Sequence, residues 1–251
     1  MGQFLEIPVE ASAHAAQIDH MTILVHWLML LLFVGWGAYF VFVLFRFRAS
    51  ANPKASYEGV KSHLASYIEW AVAGIELVLI VAFAIPAWAA RVDAFPQESQ
   101  ATVVRVVAEQ FAWNVHYPGA DGQFGRVDPA LMGSDNPLGL DRTDPAAKDD
   151  ITEINQLVLP VNKPVIVHLT SKDVIHSFSL IQMRVKQDAI PGQTIPVWFT
   201  PIMTGDWEIN CSQLCGLGHF RMRGAYSIKS QADFDTWMQE QVKDQLATPA
   251  Q

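Results

Sequence analysis

The chain of 251 residues is 51% hydrophobic and 17% charged, with a net charge of −8 at neutral pH. That balance is apolar for a water-soluble protein and puts part of the chain in lipid, while the negative charge argues against a nucleic-acid partner. Its two cysteines, Cys211 and Cys215, exclude a disulfide-dense scaffold and a four-cysteine zinc site, and the lack of a CxxCH run excludes an attached c-type haem.

In chain order, residues 1–20 carry Glu6, Glu10 and Asp19 without Lys or Arg and read as an N-terminal tail. Residues 21–45 contain no Asp, Glu, Lys or Arg, and ~20 apolar helical residues suffice to cross the hydrocarbon. This predicts a first span, too long and with the wrong flank for a signal peptide. A second span is predicted over residues 67–90, which include Glu69 and Glu76. Arg46, Arg48, Lys54 and Lys61 lie between the spans, so the positive-inside rule puts this connection in the cytoplasm and both termini outside. Glu69 and Glu76 are seven residues apart and share one helix face; ionisable groups in a span are costly and usually functional.

Residues 96–230 contain alternating and β-branched segments such as ATVVRVVAEQFAWNVHY and PVIVHLT, which predict an extracytoplasmic β domain. Within it, residues 118–150 are rich in Gly, Pro and Asp and predict a long loop. Residues 231–251 predict a short amphipathic helix and a tail.

Chemistry concentrates in the run Cys211-Ser-Gln-Leu-Cys215-Gly-Leu-Gly-His219-Phe-Arg-Met222, with His176 35 residues before Cys211. Thiolate, thioether and imidazole together favour copper, with zinc the nearest rival. A mononuclear blue-copper site needs one Cys, two His and a weak Met, so the second cysteine is surplus. Two bridging thiolates can instead hold two ions, each with one histidine. Taken alone, the two cysteines also suit a disulfide, His176 a buried strand histidine and Met222 a core residue; their joint occurrence favours a metal centre.

The run resembles the two-copper motif of cytochrome oxidase subunit II, often written CSExCxxxHxxM, and the similarity extends through Asp173-Val-Ile-His176-Ser-Phe and Lys186-Gln-Asp-Ala-Ile-Pro-Gly192. The resemblance implies an α+β protein: a two-helix transmembrane hairpin followed by an extracytoplasmic cupredoxin-like Greek-key β-barrel. It implies two copper ions in a CuA centre held by His176, Cys211, Cys215, His219, Met222 and the Gln213 carbonyl. It further implies electron transfer from cytochrome c, or a membrane-bound c-type cytochrome, to haem in subunit I, where oxygen is reduced and protons are pumped. Subunit I, subunit III and membrane lipid are the implied partners, in a bacterial-type cytoplasmic membrane with the copper domain outside.

The chain departs from the family pattern at three places. Gln213 stands where a Glu commonly reaches a magnesium ion at the subunit I boundary, and a neutral amide is a weaker ligand for that hard cation. Gln110-Phe111-Ala112-Trp113 replaces the aromatic QWYW run, so Phe111 or Trp113 becomes the candidate for electron input. Glu69 directly precedes Trp70, out of register with the family carboxylate that feeds a proton channel. Asp173 and the acidic 118–150 loop are candidates for steering a basic donor. Quinol oxidases lack the copper ligands present here, and nitrous oxide reductase carries a further propeller domain. From another class, a membrane-tethered copper-delivery or zinc module needs no redox activity.

Overall fold

The computed structural model describes residues 5–54, 57–59 and 61–247, and the chain divides into two compact units. The outermost residues of the expected tails lie outside the described residues.

The first unit holds the two apolar helices. Helix α1 spans Ala15–Arg46, and a second helical segment runs over Leu64–Val92; at 32 and 29 residues, both are long and apolar enough to cross a membrane. Both extend past the apolar runs that predict them, because helical hydrogen bonding does not stop where the hydrocarbon does. The second segment comprises α2 (Leu64–Leu79), a π-helical stretch Ile80–Ala84 and α3 (Ile85–Val92). Pro86 gives the irregularity its cause, since its ring displaces the preceding turn and it donates no hydrogen bond. Glu69 and Glu76 both lie exposed on α2.

The described residues of the second unit form ten strands in two five-stranded sheets. One has the order β3 (Ile151–Ile154), β2 (Ala112–Tyr117), β1 (Thr102–Glu109), β5 (Val165–Ser171) and β8 (Ile195–Phe199). The other has the order β4 (Gln156–Pro160), β10 (Arg223–Lys229), β9 (Gly205–Cys211), β6 (His176–Leu180) and β7 (Val185–Ala189). Most neighbours are antiparallel, with β1–β5 and β4–β10 parallel. This is the Greek-key β domain that the resemblance implies.

Alternation builds the core. On β1, Val104, Val106 and Ala108 are fully buried, while Val103, Arg105 and Val107 take the opposite face. They meet Trp113, Phe178, Phe199 and Tyr226 from the other strands. The Tyr117 hydroxyl donates to Val158 O at 3.1 Å and accepts from Val158 N at 2.8 Å, and burial raises its pKa.

Helix α4 (Gln231–Ala247) closes one end. Ser230 accepts from the backbone N–H of Asp233 at 3.1 Å, and the Asp233 carboxylate accepts from the Ser230 hydroxyl. Phe234 and Trp237 insert into the core, with Trp237 edge-on to Tyr117. Gln245 accepts from Thr152 N and donates to Thr152 O, tying the helix to the β3 edge.

The expected N-terminal tail needs correction. Residues Pro8–Ala16 belong to the β unit. Ala11 N donates to Gln182 O at 3.0 Å, Ala13 N to Thr200 O at 2.9 Å, and the buried Ser12 hydroxyl to Met183 O at 2.7 Å. Nothing local in this short Ala-rich segment announces those partners; they exist only once the strands are assembled.

Candidate metal centre

Three chain segments meet at one end of the second sheet. His176 opens β6, Cys211 closes β9, and the loop 212–222 returns to the start of β10. Register joins the first two, because Phe178 pairs with Cys211 and Ser179 with Asn210. The loop is pinned by Cys211 N to Met222 O at 3.3 Å and Ser212 N to Ser177 O at 2.9 Å. A single 3₁₀ turn, His219–Arg221, then brings His219 and Met222 back over Cys215.

The expected donors converge. Cys211 Sγ lies 3.8 Å from Cys215 Sγ, 3.9 Å from His176 Nδ1 and 3.2 Å from the Gln213 carbonyl. Cys215 Sγ lies 3.6 Å from His219 Nδ1 and 3.7 Å from Met222 Sδ. The donor atoms of His176, Cys211 and Cys215 all lie within 4.8 Å of one another. Both cysteines are free, and their sulfurs stand too far apart for a disulfide bond. His176, Cys215 and Met222 are buried, Cys211 and His219 half-buried, and Gln213 exposed. Two soft thiolates, a thioether and two imidazoles fit copper by their chemistry and by this convergence.

Electrostatics sets what a metal has to displace in the same place. Burial, with Cys211 beside it, pushes the Cys215 thiol up to about 11, so a bound metal ion displaces a proton at neutral pH. Burial alone would raise the Asp173 carboxyl, but hydrogen bonds from His176, Gln110 N and Val174 N outweigh it and hold the group below its usual range. An ionised carboxylate only accepts, so His176 Nε2 carries the hydrogen and its Nδ1 lone pair faces Cys211.

The remaining sequence candidates fall into different surroundings. Trp113 is fully buried, edge-on to His176 at 6.2 Å and to Phe178 at 5.5 Å, so it underlies the centre and presents no surface to a partner. Phe111 keeps some exposure and packs against the ligand loop at Gly216 and Gly218. Exposed Leu214, Leu217 and Phe220 give that loop an apolar outer surface. Asp173 is bonded at both oxygens, Oδ1 to His176 Nε2 at 2.9 Å and Oδ2 to Gln110 N at 2.7 Å. Acids of the 118–150 loop are similarly engaged: Asp128 and Asp144 cap short turns, Asp149 accepts from Ala120 N and Asp150 pairs with His116.

Gln110 has a part that sequence reasoning missed. Its Nε2 donates to Cys215 O at 2.6 Å while its backbone N–H holds Asp173, so one residue braces both the cysteine loop and the histidine's partner. Its place beside Phe111 was the available signal.

The cytochrome c oxidase subunit II periplasmic-domain family profile matches residues 102–227. The chain is 31% identical over 228 residues to an alternative cytochrome c oxidase subunit 2 of Bradyrhizobium diazoefficiens, covering 89% of this chain and 80% of that one. It is 30% identical over 186 residues to cytochrome c oxidase subunit 2 of Cereibacter sphaeroides, covering 69% of this chain and 59% of that one. Among solved structures, it is similar to the periplasmic domain of cytochrome oxidase subunit II of Bradyrhizobium japonicum, with 31% identity, a TM-score of 0.44, and coverage of 60% of this chain and 99% of that one. By profile, sequence and ligand pattern together, the chain belongs to the cytochrome c oxidase subunit II family.

Proposed function

We propose that this chain is the electron-input subunit of a haem–copper cytochrome oxidase. The convergence of two thiolates, two imidazole Nδ1 atoms, a thioether and the Gln213 carbonyl at one sheet end carries this reading. Cys211 and Cys215 would hold two copper ions through their thiolates, His176 and His219 would each add an imidazole, and Met222 and the Gln213 carbonyl would be the weaker donors. Such a copper pair would supply one-electron transfer with little reorganisation. The protein's part is to hold six donors where β6, β9 and the 212–222 loop meet and to bury His176, Cys215 and Met222 away from water.

Electrons come from cytochrome c or a membrane-bound c-type cytochrome and go to haem in subunit I; subunit III completes the partner set. Phe111, beside the exposed Leu214 and Leu217, marks the donor face. Gln213 turns its carbonyl toward Cys211, and its neutral amide is a weaker ligand than a carboxylate for a magnesium ion at the subunit I boundary. Glu69 and Glu76 are the proton-path candidates of the second span, and unchanged proton uptake in the Glu69→Gln, Glu76→Gln double variant would remove that role.

Residues Pro8–Ala16 belong to the β unit, which supports a topology with both termini and the copper domain on the outer side of the cytoplasmic membrane and the span connection inside. Metal analysis and paramagnetic resonance of the full chain in lipid nanodiscs test the central reading. Two coppers per chain with one unpaired electron shared between them support it. A single copper, or a spectroscopically silent zinc centre, overturns it.

A further inference from the structure

The outer face of the first sheet carries a site that the copper centre does not use. Arg105 pairs across strands with His116 on β2 and with His168 on β5, so three basic side chains form one row. Basic groups set directly opposite one another call for acidic partners. His116 Nε2 lies 2.6 Å from Asp150 Oδ2 with both groups buried, and His168 Nε2 lies 3.3 Å from Glu98 Oε1. Arg105, between them, makes no hydrogen bond or ion pair among the described residues. Its guanidinium instead stacks over Phe124, with Cζ 3.9 Å from the ring centroid.

Neighbouring cations are treated differently. Lys172 reaches Glu109 at 2.6 Å, Arg126 pairs with Asp141, and Arg142 donates to the carbonyls of Ala147 and Asp150. A guanidinium stacked by its face still presents in-plane N–H donors, in a fork that matches a carboxylate. Burial lowers the Arg105 pKa, with Asp150 and Glu98 partly restoring it.

Arg105 opens into a cleft of about 710 Å³, within the size range of small-molecule sites. Val103 and Val107 form its floor, and Phe124, Val127, Met132 and Leu138 of the long loop form its wall. The loop is held over the sheet by Gly125 N donating to Asp150 at 2.8 Å and by Phe124 against His116. Gly125 has no room for a side chain, because a Cβ there would sit 2.4 Å from Ala147 Cβ.

We propose that this cleft binds an amphipathic carboxylate, with its head on the free edge of Arg105 beside His168 and its apolar body between β1 and the long loop. The two nearby carboxylates do not prevent this. Asp150 spends Oδ2 on His116 and Gly125 N and, although its buried Oδ1 has no partner, makes no hydrogen bond to Arg105, while Glu98 is 68% exposed and screened by solvent.

Fluorine NMR of the full chain in zwitterionic nanodiscs, with 4-(4-fluorophenyl)butanoate as the probe, tests the site. Saturable binding is expected, weakened by about tenfold when the probe is replaced by its neutral amide and by about tenfold in Arg105→Gln. Val127→Trp, which fills the cleft from the loop and leaves Arg105 intact, abolishes binding. Unchanged copper content in both variants shows that the domain is folded. Equal binding of acid and amide, undiminished binding in folded Arg105→Gln or Val127→Trp, or no saturable binding each overturns the proposal.

Discussion

Asp173 and His176 are joined by a 2.9 Å hydrogen bond from Nε2 to Oδ1, and that bond decides which ring nitrogen of His176 meets Cys211. The bond also ties the ligand to Gln110, whose backbone N–H holds the other carboxylate oxygen.

Asp173 is therefore expected to act on the metal before it acts on a donor. Outer partners of ligating histidines commonly change metal affinity by about 10–100-fold, so Asp173→Ala should weaken copper binding by that order in a chelator competition. The salt dependence of the reaction with cytochrome c should stay as in the unaltered chain. Intact copper affinity with an altered salt dependence would return Asp173 to a docking role.

Gly218 sits under the Phe111 ring, and a Cβ there would lie 2.5 Å from Phe111 Cδ2. Gly218→Ala should cost about 1–3 kcal/mol by overpacking, read as a lowered denaturation midpoint. Adding Phe111→Ala removes the ring and should recover part of that loss. A neutral Gly218→Ala, or a double variant with strictly additive losses, would separate Phe111 from the ligand loop.

The buried His116–Asp150 pair anchors the long loop to the sheet. Removing one partner leaves the other buried and uncompensated, so Asp150→Ala should destabilise the β domain by about 3–5 kcal/mol. Denaturant unfolding followed by tryptophan fluorescence measures this. A loss well under 1 kcal/mol would show that the loop is held by its other contacts.

Asp141 accepts from the Thr143 hydroxyl at 2.6 Å and pairs with Arg126, and these contacts lower its pKa to about 2. Its unfolded value is about 3.9, so its stabilising contribution is present above that pH and disappears as pH falls through about 2. Thermal midpoints recorded between these values should fall less steeply in Asp141→Asn than in the unaltered chain. Parallel pH profiles would show that the contact does not contribute to stability.

Much of the plan is legible in the sequence, because it rests on local chemistry. Two apolar runs suffice to mark helices α1 and α2–α3, since hydropathy is a property of contiguous residues. The run from Cys211 to Met222 shows a soft donor set that favours copper, because softness belongs to side-chain type.

Other features depend on residues distant in the chain, and for these only the tertiary structure decides. Trp113 looks like a surface relay beside Phe111. Every residue of β2 after Ala112 is buried, so strand alternation gives no sign of which side faces a partner. Asp173 reads as a steering charge until the β6–β9 register brings His176 to Cys211 and the β1–β5 register brings Gln110 to Asp173. Residues Pro8–Ala16 look like a tail because their partners, Gln182, Met183 and Thr200, lie more than 160 positions away. The sequence by itself determined the donors and the membrane anchor. Folding determined how the donors are oriented, which aromatic residue is accessible and where an unanswered arginine faces a cleft, because each of these depends on strand register and on what covers each sheet face.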